Sequence, residues 1–418
     1  MNNSKHHPSP RPVTADAFAE LQDASDRMLR TVPHGFRRSL LDRIDWSERL
    51  VCVKGPRGVG KTTLLLQHIR DAFGPRPATA LYASLDDLWF ADRRLKDLAV
   101  HLDSHGFTHL FLDEVHHLPD WSLQIKNLHD QFPSLHLVYS GSSLLDIDRA
   151  AADLSRRQAP YLLAPLSFRE FLLLEGLPVP APVPLPDLLE RHADIAAGVA
   201  AALAPRKIIP LFERYLLSGA YPFSRAVRST FRERLRATAA QVLDVDWPKA
   251  EPVSPETIQR AKRMLVVLAA STPQHPNMAA LWRELGTERN QGMKTLNALA
   301  RAGLLALLPS RSASLKNLSR PEKIYCGDPN LMHALVPRPD PGTLRETFFL
   351  AQLAAAGHVL AYPPRGDFLV DGRFLFEVGG PGKTFRQIAD APDSYLALDS
   401  LEIGRANRIP LWLFGFLY

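Results

Sequence analysis

The stretch from residue 55 to residue 63, GPRGVGKTT, constrains the fold of this chain more than any other. An apolar, β-prone run, RLVCVK, precedes it, and a helix-prone run, TTLLLQHIRDAF, overlaps its end. Glycines that let backbone amides point inwards, the N-terminus of a helix and a lysine together bind phosphate groups. In this strand, loop and helix setting, the spacing predicts a P-loop that binds a nucleotide.

The residues of the loop have different predicted roles in nucleotide binding. We expect Lys61 to reach the terminal phosphates of ATP and Thr62 to offer its hydroxyl to Mg²⁺. The predicted ATP-binding residues are Gly55, Pro56, Arg57, Gly58, Val59, Gly60, Lys61, Thr62, Thr63, Asp113 and Ser140. The predicted magnesium ligands are Thr62 and Asp113.

Polar side chains end the next two apolar runs. HLFLDEVHHL passes through Asp113 and Glu114, and LHLVYSGSS passes through Ser140. Asp113 would hold the hydration shell of Mg²⁺, and Glu114 would deprotonate an attacking water. Ser140 is either a sensor of the γ-phosphate or an ordinary hydroxyl at a strand end. His116 and His117 follow the acids, and we expect a surface pair without a role.

Two arginines lie in SRRQAPYLLAPLSFREF. Arg156 or Arg157 could stabilise the charge of a transition state, either in its own subunit or in a neighbouring one. A solvated cationic pair is an equally good interpretation.

Strand-like and helical stretches alternate up to SFREFLLLEG, which favours an α/β fold with a parallel sheet covered on both faces. The run PVPAPVPLP then predicts a linker or a loop, followed by helices between residues 187 and 241. SPETIQRAKRMLVVLAAST begins with a plausible N-cap, Ser254, and with two further helices and two β runs it looks like a winged helix. From about Gly342 we predict a helix, short strands, another helix and a final buried strand in IPLWLFGFLY.

Six motifs occur in an order that resembles a family of bacterial and archaeal P-loop ATPases related to AAA+ proteins. They are GPRGVGKTTLL, LFLDEVHHLPDW, YSGSSLLDI, APLSFREFL, LFERYLLSGAYP and EKIYCGDPNLMHAL. The resemblance runs from about Leu41 to the C-terminus. It implies an AAA-type ATP-binding domain, a winged-helix segment, and a C-terminal domain of unknown function that is similar to restriction-endonuclease-like folds.

The same resemblance implies roles for individual residues. Lys61 and Thr62 match Walker A, Asp113 and Glu114 match Walker B, and Ser140 matches the sensor position. Arg157 falls where family members have the arginine of a Gly-Arg pair, although Arg156 stands in place of that glycine. Gly58 replaces an arginine that is usual in the loop, which leaves backbone phosphate binding intact. The predicted catalytic residues are therefore Glu114, Lys61 and Arg157.

The predicted fold is a P-loop NTPase sheet with a helical lid, then a winged helix and a restriction-endonuclease-like α+β domain. The predicted segments are a disordered arm (1–15), the ATPase domain (16–175), the helical lid with its linker (176–250), the winged helix (251–338) and the nuclease-like domain (339–418).

The nuclease-like domain carries acids that could hold a metal ion. Asp367 and Glu377 fit the carboxylates of a PD-(D/E)XK site, and Glu346 could add a third. The lysine expected two positions after Glu377 is Gly379, and Lys383 could replace it only if the following loop folds back. We therefore expect a scaffold that no longer cuts nucleic acid.

The third helix of the predicted winged helix offers polar residues to a DNA groove: Arg289, Asn290, Gln291, Lys294, Asn297 and Arg301. The alternative is a solvated face of a packing module. A formal net charge of +6 permits a polyanionic partner without requiring one.

Cellular context follows from composition. The cysteines, Cys52 and Cys326, lie far apart and lack metal-ligand spacing, which indicates a reducing compartment and no zinc site. The polar N-terminus lacks the apolar core of a secretory signal, and the longest apolar runs are too short to span a bilayer. We expect a cytoplasmic protein without a membrane partner.

These observations predict a Mg²⁺-dependent ATPase that acts as a nucleotide-driven switch, with DNA as a candidate partner. A DNA-binding regulator that keeps ATP as a structural ligand is the main alternative, although Glu114 argues against it. A P-loop kinase for a small acceptor is weaker, because such enzymes are usually compact single domains.

Overall fold

A parallel sheet with the strand order β2-β3-β4-β1-β5 forms the centre of the N-terminal part of the chain. Its strands are β1 (Leu50–Lys54), β2 (Ala80–Ser84), β3 (His109–Asp113), β4 (His136–Gly141) and β5 (Ala159–Leu162). The predicted parallel α/β sheet is confirmed, but β5 was not predicted.

The structure is a computed structural model that describes residues 12–142, 144, 147, 154, 156–271, 278–310 and 321–418. The chain divides after Leu163 into an N-terminal unit and a C-terminal unit. Most of the predicted N-terminal arm, residues 1–11, lies outside the described residues.

Helices pack on the parallel sheet because their apolar residues recur at helical spacing and its middle strands are buried. The helices of the N-terminal unit whose bounds lie in the described residues are α1 (Ala15–Arg30), α2 (Lys61–Phe73), α3 (Leu95–Ser104) and α4 (Trp121–Gln131). Thr14 caps α1 by accepting a hydrogen bond from the amide of Ala17 at 3.3 Å. Between α1 and β1, Ser39–Asp42 form a 3₁₀ turn.

The first half of the C-terminal unit is helical, as the sequence predicts. Its helices are α5 (Phe168–Leu174), α6 (Leu185–Leu203), α7 (Ile208–Ser218), α8 (Phe231–Gln241) and α9 (Trp247–Ala250), with a π-helical stretch at Val242–Asp246. The proline-rich run before α6 is irregular up to Pro184, which occupies the N-cap position. In the described part of the chain no single helix is long and apolar enough to cross a membrane, although α6 and α7, which meet at 90°, pass that test as a bent pair.

Three helices and a small antiparallel sheet come next: α10 (Pro255–Ala270), α11 (Met278–Glu284), α12 (Arg289–Arg301), β6 (Leu305–Leu308) and β7 (Lys323–Cys326). Ser254 caps α10 by accepting from the amide of Thr257 at 3.2 Å, as the sequence predicts. The chain continues through α13 (Pro329–Leu335) and α14 (Pro341–Ala356).

A mixed sheet with the order β12-β11-β10-β9-β8 completes the C-terminal unit. Its strands are β8 (Leu360–Ala361), β9 (Phe368–Val370), β10 (Phe374–Gly379), β11 (Ser394–Leu398) and β12 (Arg408–Pro410). The pairs among β8, β9 and β10 are antiparallel, and those among β10, β11 and β12 are parallel. The helix predicted after β10 is only a 3₁₀ turn at Phe385–Gln387.

The prediction of a final strand in IPLWLFGFLY is wrong for most of its length. The strand β12 ends at Pro410, and Leu411–Phe416 form a buried 3₁₀ helix. Trp412 and Phe414 pack against the rings of Phe168 and Phe349, so the run is buried on all sides. A run that is apolar at every position has no period, and its sequence cannot distinguish a strand from a helix.

Candidate active site

The P-loop has a shape that only glycine allows at three of its positions. Gly58 and Gly60 have left-handed backbones, with φ of 82° and 98°. A Cβ on Gly55 would lie 2.3 Å from the carbonyl oxygen of Leu163. Gly60 is also the N-cap of α2, so the loop leads directly into the first turn of that helix.

The ammonium of Lys61 lies inside this loop. Its Nζ donates to the carbonyl oxygens of Gly55 at 2.9 Å and Pro56 at 3.0 Å, and the residue is 4% exposed. A positive charge among inward-facing amides at a helix N-terminus forms a site for phosphate groups. The ammonium would exchange these carbonyl contacts for phosphate oxygens when a nucleotide binds.

Asp113, at the end of β3, is buried and accepts several hydrogen bonds. Its Oδ2 accepts from Thr62 Oγ1 at 2.5 Å and from Tyr82 Oη at 2.9 Å. Its Oδ1 accepts from the Ser140 hydroxyl and from the amide of Glu114 at 3.1 Å. The structure thus brings together both predicted magnesium ligands, Thr62 and Asp113, and places Ser140 against the carboxylate.

Tyr82 is a residue of this site that the sequence analysis missed. It lies on β2, next to β3, and burial together with the negative charge of Asp113 raises its pKa well above the ordinary value. The phenol therefore remains a hydrogen-bond donor to Asp113. The only clue in the sequence is a tyrosine in the otherwise small and aliphatic run ALYAS.

The carboxylate of Glu114 has a neighbour at each oxygen. Ser142 Oγ donates to Oε1 at 2.7 Å, and His116 Nδ1 lies 3.3 Å from Oε2. The expectation of a surface histidine pair is wrong for His116, which is buried, while His117 is exposed. His116 Nε2 also lies 3.2 Å from Nη2 of Arg57, a residue of the P-loop.

Arg38 supports the loop from outside the predicted motif. It is 4% exposed, and its Nη1 donates to the carbonyl oxygen of Val59 at 2.6 Å. A buried guanidinium that donates to a carbonyl of the P-loop fixes that peptide. The sequence around Arg38 carried no sign of this contact.

A cavity of about 470 Å³ opens beside the acids, and Thr62, Tyr82, Asp113 and Glu114 are among its lining residues. It has room for a terminal phosphate, a metal ion and a water. A hydroxyl and a single carboxylate are hard oxygen donors that suit Mg²⁺, which takes its remaining ligands from phosphate and water. Within the described ranges, no group of three or more His, Cys, Asp or Glu side chains could hold a metal ion.

Arg157 does not lie near the P-loop. Its Nε and Nη2 donate to the carboxylate of Asp130 at 2.9 and 3.0 Å. Asp130 is in the last turn of α4, shortly before β4 begins, and Arg157 comes two residues before β5. Because the strands are parallel, this ion pair lies at the sheet edge opposite the loop. Arg156 is exposed.

The acids of the C-terminal unit also meet, together with lysines. Lys383 Nζ lies 2.9 Å from Glu377 and 3.8 Å from Asp367. The loop after β10 does fold back, because the amide of Lys383 donates to Gly380 at 3.0 Å. A Cβ on Gly379 would lie 2.9 Å from the Lys383 Cβ, so the lysine stem fills the space of the missing side chain.

Lys323 of β7 is a second lysine in this cluster, and the sequence analysis missed it. Its Nζ lies 3.1 Å from Glu346 and 3.3 Å from Asp367. Burial opposes its charge, but the two carboxylates hold its pKa above the ordinary value. Tyr325 Oη also donates to Glu346 at 2.6 Å, and burial and Asp367 raise the pKa of Glu346.

Residues 47–172 match a family described as "AAA domain", and residues 209–341 match a "Domain of unknown function (DUF8612)". The first match covers the segment that contains the P-loop, the acid pair and the parallel sheet, and this segment is therefore similar to AAA-type domains.

Three individual proteins are similar to the chain. It is 24% identical over 393 residues to an uncharacterized protein of Methanocaldococcus jannaschii, covering 87% of this chain and 82% of that protein. The Hsp104–ADP complex of S. cerevisiae matches with 17% identity and a TM-score of 0.28, over 68% of this chain and 39% of that chain. Cdc6p from Pyrobaculum aerophilum matches with 15% identity and a TM-score of 0.27, over 80% of this chain and 97% of that chain.

The Tyr82 hydroxyl predicts an effect on the metal dependence of nucleotide binding. In Tyr82→Phe, Asp113 loses one of its donors, and we expect the Mg²⁺ affinity of the nucleotide complex to fall about tenfold, as for other residues that orient a ligand. Titration of a fluorescent ATP analogue at several Mg²⁺ concentrations measures this. Tyr139→Phe is the matched control, because that buried tyrosine on β4 donates to Gln158. Equal effects of the two variants would contradict a specific role of Tyr82.

Proposed function

We propose that the chain is a Mg²⁺-dependent ATPase of the AAA+ type, which hydrolyses ATP to ADP and phosphate and acts as a nucleotide-driven switch. One observation carries the proposal: Thr62, Asp113 and Glu114 converge on one cavity at the sheet edge where Lys61 and the loop amides lie. This is where the terminal phosphate of a nucleotide on the loop would lie.

Each residue has a defined part in the proposed reaction. Lys61 would bind the terminal phosphate oxygens, and Thr62 and Asp113 would hold a metal ion, whose charge would offset that of the phosphates. Glu114 orients the attacking water and accepts its proton. Ser140 and Tyr82 keep Asp113 in place through their hydroxyl groups. Arg157 would act only on the nucleotide of a neighbouring copy, after leaving Asp130.

Water is the acceptor that this arrangement favours. The side chain of Glu114 is 21% exposed and lines the cavity, where a water beside the terminal phosphate would lie. A regulator that only stores ATP would have no use for a general base at this position, and the acid pair favours hydrolysis over transfer to a second substrate.

Glu114→Gln tests the proposed base. The amide keeps the shape but accepts no proton, so we expect kcat for ATP hydrolysis to fall by about 10²- to 10⁴-fold with ATP affinity retained. Lys61→Ala should instead lose ATP binding. Phosphate release and equilibrium binding measure the two effects.

Asp86→Asn is the matched control for Glu114→Gln, since it makes the same chemical change at an exposed carboxylate that lines the same cavity. It should hydrolyse ATP at the wild-type rate. Unchanged hydrolysis in Glu114→Gln would mean that another group activates the water.

We also propose that α10, α11, α12 and the β6-β7 hairpin form a winged helix that binds the DNA backbone. The supporting observation is that all six candidate residues on α12 are exposed: Arg289, Asn290, Gln291, Lys294, Asn297 and Arg301. Arg301 lies 3.2 Å from Glu251, which makes it the least available of the cations. Such a face suits phosphate contacts without sequence readout.

The variant Arg289→Ala/Lys294→Ala tests this surface. If the two cations contact phosphates, duplex affinity falls and the slope of log K against log salt becomes smaller by about two. Fluorescence anisotropy over a range of salt concentrations measures the slope. Arg228→Ala/Arg232→Ala makes the same change in net charge at exposed arginines elsewhere and should alter neither quantity. An unaltered slope in the α12 variant would identify this face as solvated surface.

For the C-terminal cluster we propose an interaction or regulatory role without cleavage. Ammonium groups already lie against all three carboxylates, Lys323 against Glu346 and Asp367, and Lys383 against Glu377. These ammonium groups repel a divalent cation, which would have to displace them in order to bind.

We therefore expect no Mg²⁺- or Mn²⁺-dependent cleavage of single- or double-stranded DNA or RNA, with or without ATP. Incubation of purified protein with end-labelled substrates measures this. Cleavage that persists through purification and is lost in Asp367→Ala or Glu377→Ala would contradict the proposal.

A further inference from the structure

His116 links the P-loop to the proposed general base, although no sequence motif assigns it a role. It lies on the 3₁₀ turn Val115–His117, which begins directly after Glu114. Its side chain is 1% exposed, whereas the adjacent His117 is exposed. A buried imidazole needs partners for its ring nitrogens, and the contacts of His116 define which nitrogen carries the proton.

The neighbour of Nε2 fixes the tautomer. Nη2 of Arg57 lies 3.2 Å from His116 Nε2. A guanidinium carries only donors and does not lose its proton in proteins, so Nε2 must be the acceptor in this contact. The imidazole proton then resides on Nδ1, which lies 3.3 Å from Oε2 of Glu114.

The surroundings of Glu114 hold its backbone and one of its carboxylate oxygens. Its φ of 52° and ψ of 45° are left-handed, a conformation that a residue with a Cβ adopts only when its surroundings impose it. Ser142 fixes one carboxylate oxygen at 2.7 Å. The contact of Oε2 with Nδ1 is close but not aligned as a hydrogen bond. Contacts at catalytic groups are often loose without substrate and become aligned when it binds.

We propose that His116 is a positioning residue that transmits the conformation of the P-loop to Glu114. Arg57 belongs to the loop that surrounds the phosphates, so loop rearrangement on ATP binding would move the guanidinium, then the imidazole, and then the base. This coupling rests on the proposed ATPase function. Under this coupling, Glu114 is aligned as a base only when ATP is bound.

Three variants separate this coupling from packing. His116→Leu fills the space without polar atoms, and we expect kcat for ATP hydrolysis to fall on the order of 10- to 100-fold with KM unchanged within about twofold, as for a misplaced catalytic group. His116→Gln retains an acceptor for Arg57 and a donor for Glu114 and should recover most of the rate. His117→Leu, at the exposed neighbour, should hydrolyse like wild type. Equal loss in the Leu and Gln variants of His116, or loss of nucleotide binding, would overturn the proposal.

The tautomer provides a readout that does not depend on turnover. In long-range ¹H–¹⁵N spectra of histidine-labelled protein, we expect the His116 signal, assigned by its absence in His116→Gln, to show a protonated Nδ1. Arg57→Ala should change that signal, and a non-hydrolysable ATP analogue should shift it. If the wild type does not hydrolyse ATP and these changes still occur, the ATPase proposal fails and the coupling stands. A proton on Nε2, or a signal insensitive to Arg57→Ala, would overturn the coupling.

Discussion

The site in the N-terminal unit depends on the burial of one charge. Asp113 is 1% exposed, and a carboxylate in that environment is tolerable only if donors surround it. The strand order supplies them, because β3 lies between β2 and β4. Tyr82 donates from β2, Ser140 from β4 and Thr62 from the first turn of α2. The hydrogen bonds of one side chain therefore connect the P-loop helix to three strands, and moving any of these elements leaves a buried charge short of a donor.

The sequence could predict the part of this site whose determinants are local or periodic. The nine residues GPRGVGKTT contain the glycines and the lysine of the loop, and parallel strands necessarily bring their carboxyl ends to one edge, which placed Asp113 beside it. Tyr82 and His116 could not be found in that way. The position of Tyr82 depends on the pairing of β2 with β3. The contact of His116 with Arg57 joins residues that are 59 positions apart in the sequence.

The missed elements also have physical reasons. β5 contains Pro160 and pairs only with β1, so it is an edge strand, where the missing amide of a proline costs no ladder hydrogen bond. A proline inside a strand of four residues nevertheless makes such a strand hard to recognise from its composition. The 3₁₀ helix at Leu411–Phe416 was missed for a different reason. Every position in it is apolar and buried, so the sequence shows no periodicity.

Two acidic sites in this chain differ in the groups that neutralise them. Around Asp113 the partners are hydroxyls and an amide, which are neutral and can turn toward other acceptors when a cation takes the carboxylate. Around Glu346, Asp367 and Glu377 the partners include two ammonium groups, which occupy the positions where a divalent cation would have to bind.

Removing Lys323 would leave Glu346 and Asp367 facing each other in a partly buried environment, and such a change is costly. The C-terminal lysines thus supply the compensation that a metal ion would otherwise provide. The acidic residues alone do not distinguish the two sites, since both contain carboxylates on or next to strands. The two sites differ in the charge of the side chains that contact their carboxylates. Lys323, which contacts Asp367, lies on the β6-β7 hairpin, 44 positions away in the sequence.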